Sequence, residues 1–338
     1  MRLVRLVRGR KSRRKPVFSF LGAAMQVGEG VRRRLRTRVY IDGYNFYYGC
    51  LRRSHDKWLD LYRLFADHVL PSVLVNVDGQ LAESELLPAA VQYFTAKIIE
   101  SAAKGADSVS SQARYHTALR KLHDGRVQII EGYYSLTKVR APLIDDANPE
   151  RQPRDCDRVP VWKLEEKQSD VNLAINAYHD ALTGEIDHAV IVSNDTDLVP
   201  ALRMIRAHTG VVVGLVVPTR DRERRPNADL AKHCHWVREH LKDHELAGAQ
   251  MPRVVPGGKK PTVKPDSWYP FPELFQRALN LAIRVRGSRS AAFKWFDAPS
   301  VFFENRAPIE LMSTEAGLKR VIAYMEDWIS QNGPIAPK

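Results

Sequence analysis

The feature that most constrains the fold is an unbroken apolar run at residues 189–192, followed at once by the polar sequence Ser-Asn-Asp-Thr-Asp at residues 193–197. An apolar run without alternation is typical of a strand buried on both faces, as in a parallel sheet covered by helices. Asp195 and Asp197 would then lie at the carboxyl end of a central strand, where open α/β sheets bind their ligands. The alternative role for either carboxylate is to cap the helix that follows.

Apolar strand patterns alternate with helical patterns between residues 38 and 250. This order predicts an α/β fold with a central, mostly parallel sheet, right-handed crossovers and helices on both faces. The segment 136–163, rich in Pro, Asp and Arg, is predicted as a long loop, and Asn227 to about Leu246 as a final helix. The predicted strands are residues 38–41, 91–99, 127–130, 189–192 and 211–217.

Two further carboxylates are predicted at the same edge of the sheet. Asp42 ends the first strand, within Asp42-Gly43-Tyr44-Asn45, and Asp170 begins a helix for which Ser169 is a good N-cap. An ordinary Asp-Gly turn is the alternative explanation for Asp42. The preference of a helix N-terminus for negative charge is the alternative for Asp170.

A three-layer sandwich can bring all four acids to one crevice. Oxygen ligands without His or Cys suit hard cations such as Mg²⁺ or Mn²⁺, and clustered carboxylates repel one another without a cation. Such a site supports metal-dependent hydrolysis of a phosphodiester. Asn45 and Ser193 could position a phosphate or a metal-bound water in it.

The positive charge of the chain is concentrated at its N-terminus. The net charge is +13, and residues 1–38 hold thirteen Lys and Arg against one Glu, so the other 300 residues are nearly neutral. The arm could bind nucleic acid or anionic lipid by charge alone. It could also be a solvated disordered arm. Alternatively, its first residues could lie upstream of the true start of translation, since Met25 is another possible initiator.

Several classes of protein are disfavoured by what the sequence lacks. The three cysteines are widely spaced and odd in number, which argues against a disulfide framework and favours a cytoplasmic location. No segment approaches the roughly 20 apolar residues that span a membrane. The sequence has no glycine-rich phosphate loop, no G-x-G-x-x-G after the first strand and no G-x-S-x-G.

Three motifs, at residues 42–45, 166–174 and 193–198, resemble in their residues and order those of the NYN domain, a branch of the PIN-like nuclease superfamily. The resemblance covers roughly residues 37–255 and implies a PIN-like sandwich and metal-dependent cleavage of RNA. Gln168 departs from the family, which commonly has Gly there, and Asn176 stands where many members carry another acid. The residues that the motif match implies are the metal-binding, catalytic acids Asp42, Asp170, Asp195 and Asp197, and the substrate-positioning residues Asn45, Lys167 and Ser193.

A second resemblance covers residues 271–332, beyond a segment at 252–270 whose Pro and Gly content predicts a linker. These residues are similar to the toxin-binding domain of MbcA/ParS-type antitoxins. The shared features are helical apolar spacing, a segment containing Trp295, and the sequences Pro308-Ile-Glu-Leu-Met and Thr314-Glu-x-Gly. This similarity implies a protein-binding or self-associating helical module. The alternative is a helical cap that packs onto the preceding domain.

The sequence therefore predicts a basic arm (1–36), a nuclease domain (37–251), a linker (252–270) and a helical interaction module (271–332). The function expected from the resemblance is a Mg²⁺- or Mn²⁺-dependent endoribonuclease with an RNA substrate, DNA not being excluded. A toxin–antitoxin or phage-defence setting would follow from the C-terminal similarity. The alternative is a non-catalytic RNA- or protein-binding regulator with a degenerate metal site.

Overall fold

A computed structural model of the chain describes residues 33–220 and 224–333. The first strand, β1, begins at Arg33. The predicted basic arm therefore lies outside the described residues up to position 32, and its last residues belong to the sheet.

The described residues form ten strands and eleven α-helices. The strands are β1 (Arg33–Asp42), β2 (Val75–Val77), β3 (Gln80–Lys97), β4 (Val127–Pro142), β5 (Arg158–Lys167), β6 (His188–Val192), β7 (Val212–Val216), β8 (Trp236–Arg238), β9 (Val254–Val255) and β10 (Thr262–Val263). The helices are α1 (Gly43–Phe46), α2 (Leu61–Arg63), α3 (Ser108–Leu122), α4 (Ser169–Leu182), α5 (Val199–His208), α6 (Ala228–Ala231), α7 (Asp243–Gly248), α8 (Pro272–Arg286), α9 (Arg289–Asp297), α10 (Pro308–Leu311) and α11 (Glu315–Asn332). The short helices α1 and α2 continue as π-helical turns over Tyr47–Leu51 and Leu64–Val69.

The large sheet has the strand order β5-β4-β3-β1-β6-β7-β8, with β2 added beside β3. All neighbours along this path are parallel except β4 and β5, and β2 also pairs antiparallel with β3. Side chains of β6 alternate between two hydrophobic cores, Val190 and Val192 entering one and Ala189 and Ile191 the other. The mostly parallel α/β sheet with helical layers is therefore confirmed, and β6 is buried on both faces as its apolar run predicts.

The loop predicted between the third strand and α4 is one of two local predictions that are wrong; the other concerns the helix after Asn227. The long loop at 136–163 is instead a hairpin, because β4 and β5 pair antiparallel from Tyr133 and Lys167 out to Pro142 and Arg158. The Pro- and Asp-rich composition belongs to the turn at 143–157, and an edge strand such as β5 tolerates the proline within it.

The helix expected after Asn227 is interrupted. The chain forms α6, then β8 as an edge strand beside β7, then α7. Trp236 and its neighbours gain more from pairing with a buried strand than from continuing a polar helix.

The segment 252–270, predicted as a linker, packs against the sheet domain. Strands β9 and β10 form a hairpin whose Val255 and Thr262 are buried. Trp268 lies against Trp58 and Tyr115, with ring centroids 6.0 and 5.7 Å away. The described residues belong to one compact unit, so this segment is an ordered connection.

Helices α8 to α11 enclose a third hydrophobic core of their own, built on Phe275, Phe293 and Phe296. Ion pairs join this helical module to the preceding segments: Arg253 to Asp297 and Asp266 to Arg289, each at 2.6 Å. The module is thus helical as predicted and also packs back onto the chain before it.

The start of α4 has an unusual backbone. Gln168, not Ser169, is the N-cap, and its φ of 76° lies in the left-handed region. Ser169 is the first helical residue, and its Oγ donates to Glu166 Oε1 at 2.5 Å. A non-glycine residue in this region is strained, which gives a physical reason for the Gly that NYN domains commonly carry here.

We therefore expect Gln168→Gly to raise the free energy of unfolding by about 0.5–1 kcal/mol, because glycine adopts a positive φ without steric cost. Gln276→Gly, at an exposed interior position of α8, should instead lower it by about 1 kcal/mol. Chemical denaturation of the two variants measures both changes. A destabilised Gln168→Gly protein would show that the glutamine side chain outweighs the backbone strain.

Candidate active site

A cavity of about 570 Å³ opens at the carboxyl ends of β1 and β3, beside the start of α4. Its lining includes carboxylates, several tyrosines and residues from the segment before α8. This is the sheet edge at which the sequence predicts the acidic residues. Its volume falls in the range usual for small-molecule sites, about 300–1,000 Å³.

Asp42 is the most buried acid of the cavity, with 3% of its surface exposed. Its Oδ1 accepts from the backbone N–H of Asn45 at 2.9 Å, and its Oδ2 accepts from Ser193 Oγ at 2.7 Å. Burial raises the pKa of Asp42 to about 7, with smaller contributions from the charges of Asp170 and Glu166. A carboxyl group with such a pKa can accept and return a proton near neutral pH.

Gly43 explains why Asp42 can lie so deep. A Cβ atom at this position would come within 2.5 Å of the backbone oxygen of Phe94 on the neighbouring strand β3. The Asp-Gly pair is therefore required by close packing of α1 on β3, and it is not an ordinary surface turn.

The other predicted acids divide into two groups. Asp170 and Asp195 line the cavity with Asp42, whereas Asp197 is exposed and outside its lining. Burial raises the pKa of Asp170, and the charges of Asp195 and Asp197 raise it further. The backbone N–H of Asp197 donates to Asp195 Oδ1 at 3.0 Å, so Asp195 also has the capping role considered as its alternative.

The predicted positioning residues also divide. Asn45 lines the cavity, and its Oδ1 is buried without a hydrogen-bond partner among the described residues. Ser193 is fully buried behind Asp42 and holds its carboxylate. Lys167 is outside the cavity lining, and its ammonium group pairs with Glu165 at 3.2 Å. The free acceptor of Asn45 is therefore suited to a donor group on a ligand.

Tyrosines form much of the remaining wall. Tyr93 and Tyr134 line the cavity: burial raises the pKa of each, and the charge of Glu166 raises both further. Tyr134 Oη donates to Glu166 Oε2 at 3.5 Å. Tyr44 and Tyr48 pack together at 4.4 Å between ring centroids. The raised pKa values keep the phenols of Tyr93 and Tyr134 protonated near neutral pH, so these two offer hydrogen-bond donors. All four rings offer apolar faces to a ligand.

Sequence reasoning did not assign Glu166, the tyrosines or Lys57 to the site. Glu166 belongs to the second motif, and the pKa of its carboxyl group is raised by burial, so the motif itself carried a signal. Lys57 and Trp268 also line the cavity. No local pattern marks them, because tertiary packing alone brings them there.

The acids do not form a metal-ligand group as they are arranged. Among residues 33–220 and 224–333, no three His, Cys, Asp or Glu side chains are placed to hold one metal ion. Both oxygens of Asp42 already accept hydrogen bonds. Divalent metals are typical of PIN-like nucleases, and the Mg²⁺ or Mn²⁺ site stays a prediction for this chain.

Family models match both parts of the chain. The NYN domain matches residues 36–237, and the antitoxin Xre/MbcA/ParS C-terminal toxin-binding domain matches residues 280–327. Both resemblances seen in the sequence are confirmed. Within the described residues, every helix is too short or too polar to cross a membrane.

One curated relative covers nearly the whole chain. It is "6-hydroxy-3-succinoylpyridine 3-monooxygenase HspA" from Pseudomonas putida (strain DSM 28022 / S16), 60% identical over 299 residues, which are 88% of this chain and 96% of that protein. Among solved structures, a protein of unknown function, VPA0982 from Vibrio parahaemolyticus RIMD 2210633, matches 63% of this chain and 94% of its own at 14% identity and a TM-score of 0.34. That structural match is too weak to support any conclusion.

Proposed function

We propose that this chain, which belongs to the NYN domain family and is 60% identical to a named pyridine monooxygenase, oxygenates a pyridine ring bearing a hydroxyl group and an acidic side chain. The compound in the relative's name, 6-hydroxy-3-succinoylpyridine, consists of such a ring, hydroxyl and keto-acid chain. Because the similarity extends over 96% of the relative, it includes the regions that form the cavity.

The observation that carries the proposal is the cavity itself. Its volume of about 570 Å³ and its tyrosine-rich wall suit one substituted aromatic ring. Asp42, with a pKa of about 7, lies in the wall as a proton acceptor. The Oδ1 of Asn45, unpartnered among the described residues, offers an acceptor for a ring N–H or hydroxyl. A concave aromatic pocket with a few polar groups is typical of a small-molecule site.

The proposed reaction needs molecular oxygen and a two-electron reductant. One oxygen atom of O₂ forms a bond to ring carbon 3, the position that bears the succinoyl group in the relative's compound, and the bond between that carbon and the side-chain carbonyl breaks. The other oxygen atom is reduced to water with two protons and with two electrons that a reduced nicotinamide or flavin coenzyme would supply. One water is added to the released acyl group, so the side chain leaves as a dicarboxylic acid and the ring carries the new hydroxyl group. Asp42 accepts the proton of the ring hydroxyl, which makes the ring more electron-rich toward an oxygen electrophile. Tyr93 and Tyr134 hold the ring by hydrogen bonding and stacking.

The test is turnover of 6-hydroxy-3-succinoylpyridine under ¹⁸O₂, with NADH or NADPH and with or without added FAD. Mass spectrometry should show one ¹⁸O atom in the ring product, and coenzyme oxidation should depend on the substrate. Absence of ¹⁸O with every reductant, from a folded protein that binds the substrate, would contradict the proposed reaction.

A second candidate is the metal-dependent nuclease expected from the motifs, favoured by an aromatic and basic surface at the cavity mouth. Tyr44, Tyr47 and Tyr48 are 47, 37 and 38% exposed. The guanidinium of Arg52 and the ammonium of Lys104 lie 5.1 and 5.9 Å from the Tyr48 ring centroid. Exposed aromatic rings beside cations are the surface on which single-stranded nucleic acids stack.

This candidate is tested with mixed RNA and matched DNA in Mn²⁺, Mg²⁺ or EDTA, beside the Asp195→Asn variant. Cleavage that requires the metal and Asp195 would support a nuclease. RNA binding without cleavage would favour the regulator considered as an alternative. The toxin-binding similarity of residues 280–327 supports a protein partner, or a second copy of the chain, for the C-terminal module under either candidate.

A further inference from the structure

The cavity contains a cationic side chain, Lys57, that has no partner in the described part of the chain. Lys57 lines the cavity and is only partly exposed. Its ammonium group makes no hydrogen bond or ion pair with a described residue. Burial lowers its pKa, which the charge of Asp107 partly offsets. A cation partly withdrawn from water and left unpaired is unfavourable, so a ligand anion beside it would be stabilised.

The carboxylate whose charge raises the pKa of Lys57, that of Asp107, already accepts hydrogen bonds from other residues. Its Oδ2 accepts from Ser111 Oγ at 2.8 Å and from Ser267 Oγ. These two hydroxyls fix the carboxylate, and no ion pair between it and Lys57 is present within residues 33–220 and 224–333. The charge of Asp107 thus favours the protonated form of Lys57, but Asp107 accepts no hydrogen bond from the three N–H donors of the ammonium group.

The other cations of the lining differ from Lys57. Arg52 and Lys104 both lie over the ring of Tyr48, where cation–π attraction holds them at the mouth. Lys57 is next in sequence to the fully buried Trp58, which packs against Trp268 at 6.0 Å. These aromatic neighbours keep the backbone of Lys57 in place, which fixes the point of the cavity wall from which its side chain extends.

We propose that Lys57 is a specificity-determining residue that binds the side-chain carboxylate of the substrate while the ring lies among the tyrosines. The site would then select aromatic or heteroaromatic acids over their neutral esters and amides. This inference rests on the proposed function for the identity of the substrate, and it concerns binding alone.

The test measures binding by calorimetry, without turnover. The probes are 6-hydroxy-3-succinoylpyridine, its methyl ester, and 4-oxo-4-phenylbutanoate, which has the same side chain on a benzene ring. Lys57→Met keeps the length of the side chain and removes its charge. It should weaken binding of both acids by about 10- to 100-fold, as expected for a charge-assisted hydrogen bond, and leave ester binding within about twofold.

Two controls accompany it. Lys104→Met removes a cation of the same lining and should change acid binding by less than about threefold, since that cation already contacts Tyr48. Lys57→Arg should restore most of the affinity. Equal acid binding by wild type and a folded Lys57→Met protein overturns the proposal, as does failure of the wild type to bind either acid. Acid binding that depends on Lys57 but is not followed by oxygenation would contradict the proposed reaction and leave the carboxylate site standing.

Discussion

Replacing Asp42 with Asn is expected to lower kcat for oxygenation of 6-hydroxy-3-succinoylpyridine by about 10³-fold, the usual contribution of a positioned general base. Asparagine has the same shape, so its amide can keep the contacts with the Asn45 N–H and Ser193. It cannot accept the proton. The fold and the substrate affinity should therefore be retained while turnover is lost, which steady-state kinetics and calorimetry measure separately.

Asp197→Asn is the matched control. Asp197 is exposed and outside the cavity lining, so its kcat should stay within about twofold of wild type, as an acid that does not contact the substrate predicts. A four-acid metal site would instead lose activity in both variants. The two substitutions therefore distinguish a reaction that needs only the base Asp42 from one that needs a metal ion held by all four acids.

The pKa of Asp42 sets the pH dependence of both activity and stability. As a base, Asp42 works when ionised, so kcat/KM should rise with pH through about 7. Its pKa is raised above the unfolded value, so its contribution to stability is fully present below about pH 4 and is lost as the pH rises through about 7. The melting temperature of wild type should fall relative to Asp42→Asn between pH 5 and 8; parallel curves would contradict a raised pKa.

Replacing Asp180 with Ala is expected to lower the free energy of unfolding by about 3–5 kcal/mol, the effect of breaking a buried ion pair. Asp180, on α4, accepts from Arg38 Nη1 at 2.5 Å and from Tyr40 Oη at 2.6 Å, both on β1. Its loss leaves the buried phenol of Tyr40 without this acceptor, and it leaves the mostly buried guanidinium of Arg38 only a longer ion pair with Glu185, at 3.8 Å. Denaturant unfolding measures the change.

The hydrogen bonds of Asp180 also help to position the two elements that carry Asp42 and Asp170. They join α4, which begins beside Asp170, to the strand that ends at Asp42, so Asp180→Ala should also weaken substrate binding. Glu326→Ala removes a solvent-exposed pair with Arg277 and should cost less than about 1 kcal/mol. Similar losses in the two variants would mean that burial does not strengthen the Asp180 network.

The predictable part of the structure is the part encoded by neighbouring residues. An apolar run fixes β6, and acids at the carboxyl ends of β1 and β6 must reach the same edge of a parallel sheet. Asp42 and Asp195 could therefore be assigned to one site from sequence. Asp197 could not be separated from them, because its exposure depends on which way one turn after β6 faces.

The unpredictable part depends on packing between distant segments. The β4–β5 hairpin pairs residues on either side of a long turn, and local composition reports only the turn. Lys57 and Trp268 both reach the cavity although more than 200 residues separate them in the sequence. No period or motif signals such an approach, since it is decided by how the aromatic side chains of Trp58 and Tyr115 pack.

The wall formed by Ser267 and Trp268 has a consequence for how such chains diversify. The NYN match ends at residue 237 and the antitoxin-type match begins at 280, so these two cavity residues belong to neither family model. A recombination event that exchanged the C-terminal module at the Pro- and Gly-rich segment would also replace part of the substrate pocket. Exchange of the module and change of substrate would then be a single evolutionary step. In a chimeric protein joined at residue 252, one parent would supply most of the cavity wall and the other would supply residues 267 and 268, so ligand preference should depend on both parents.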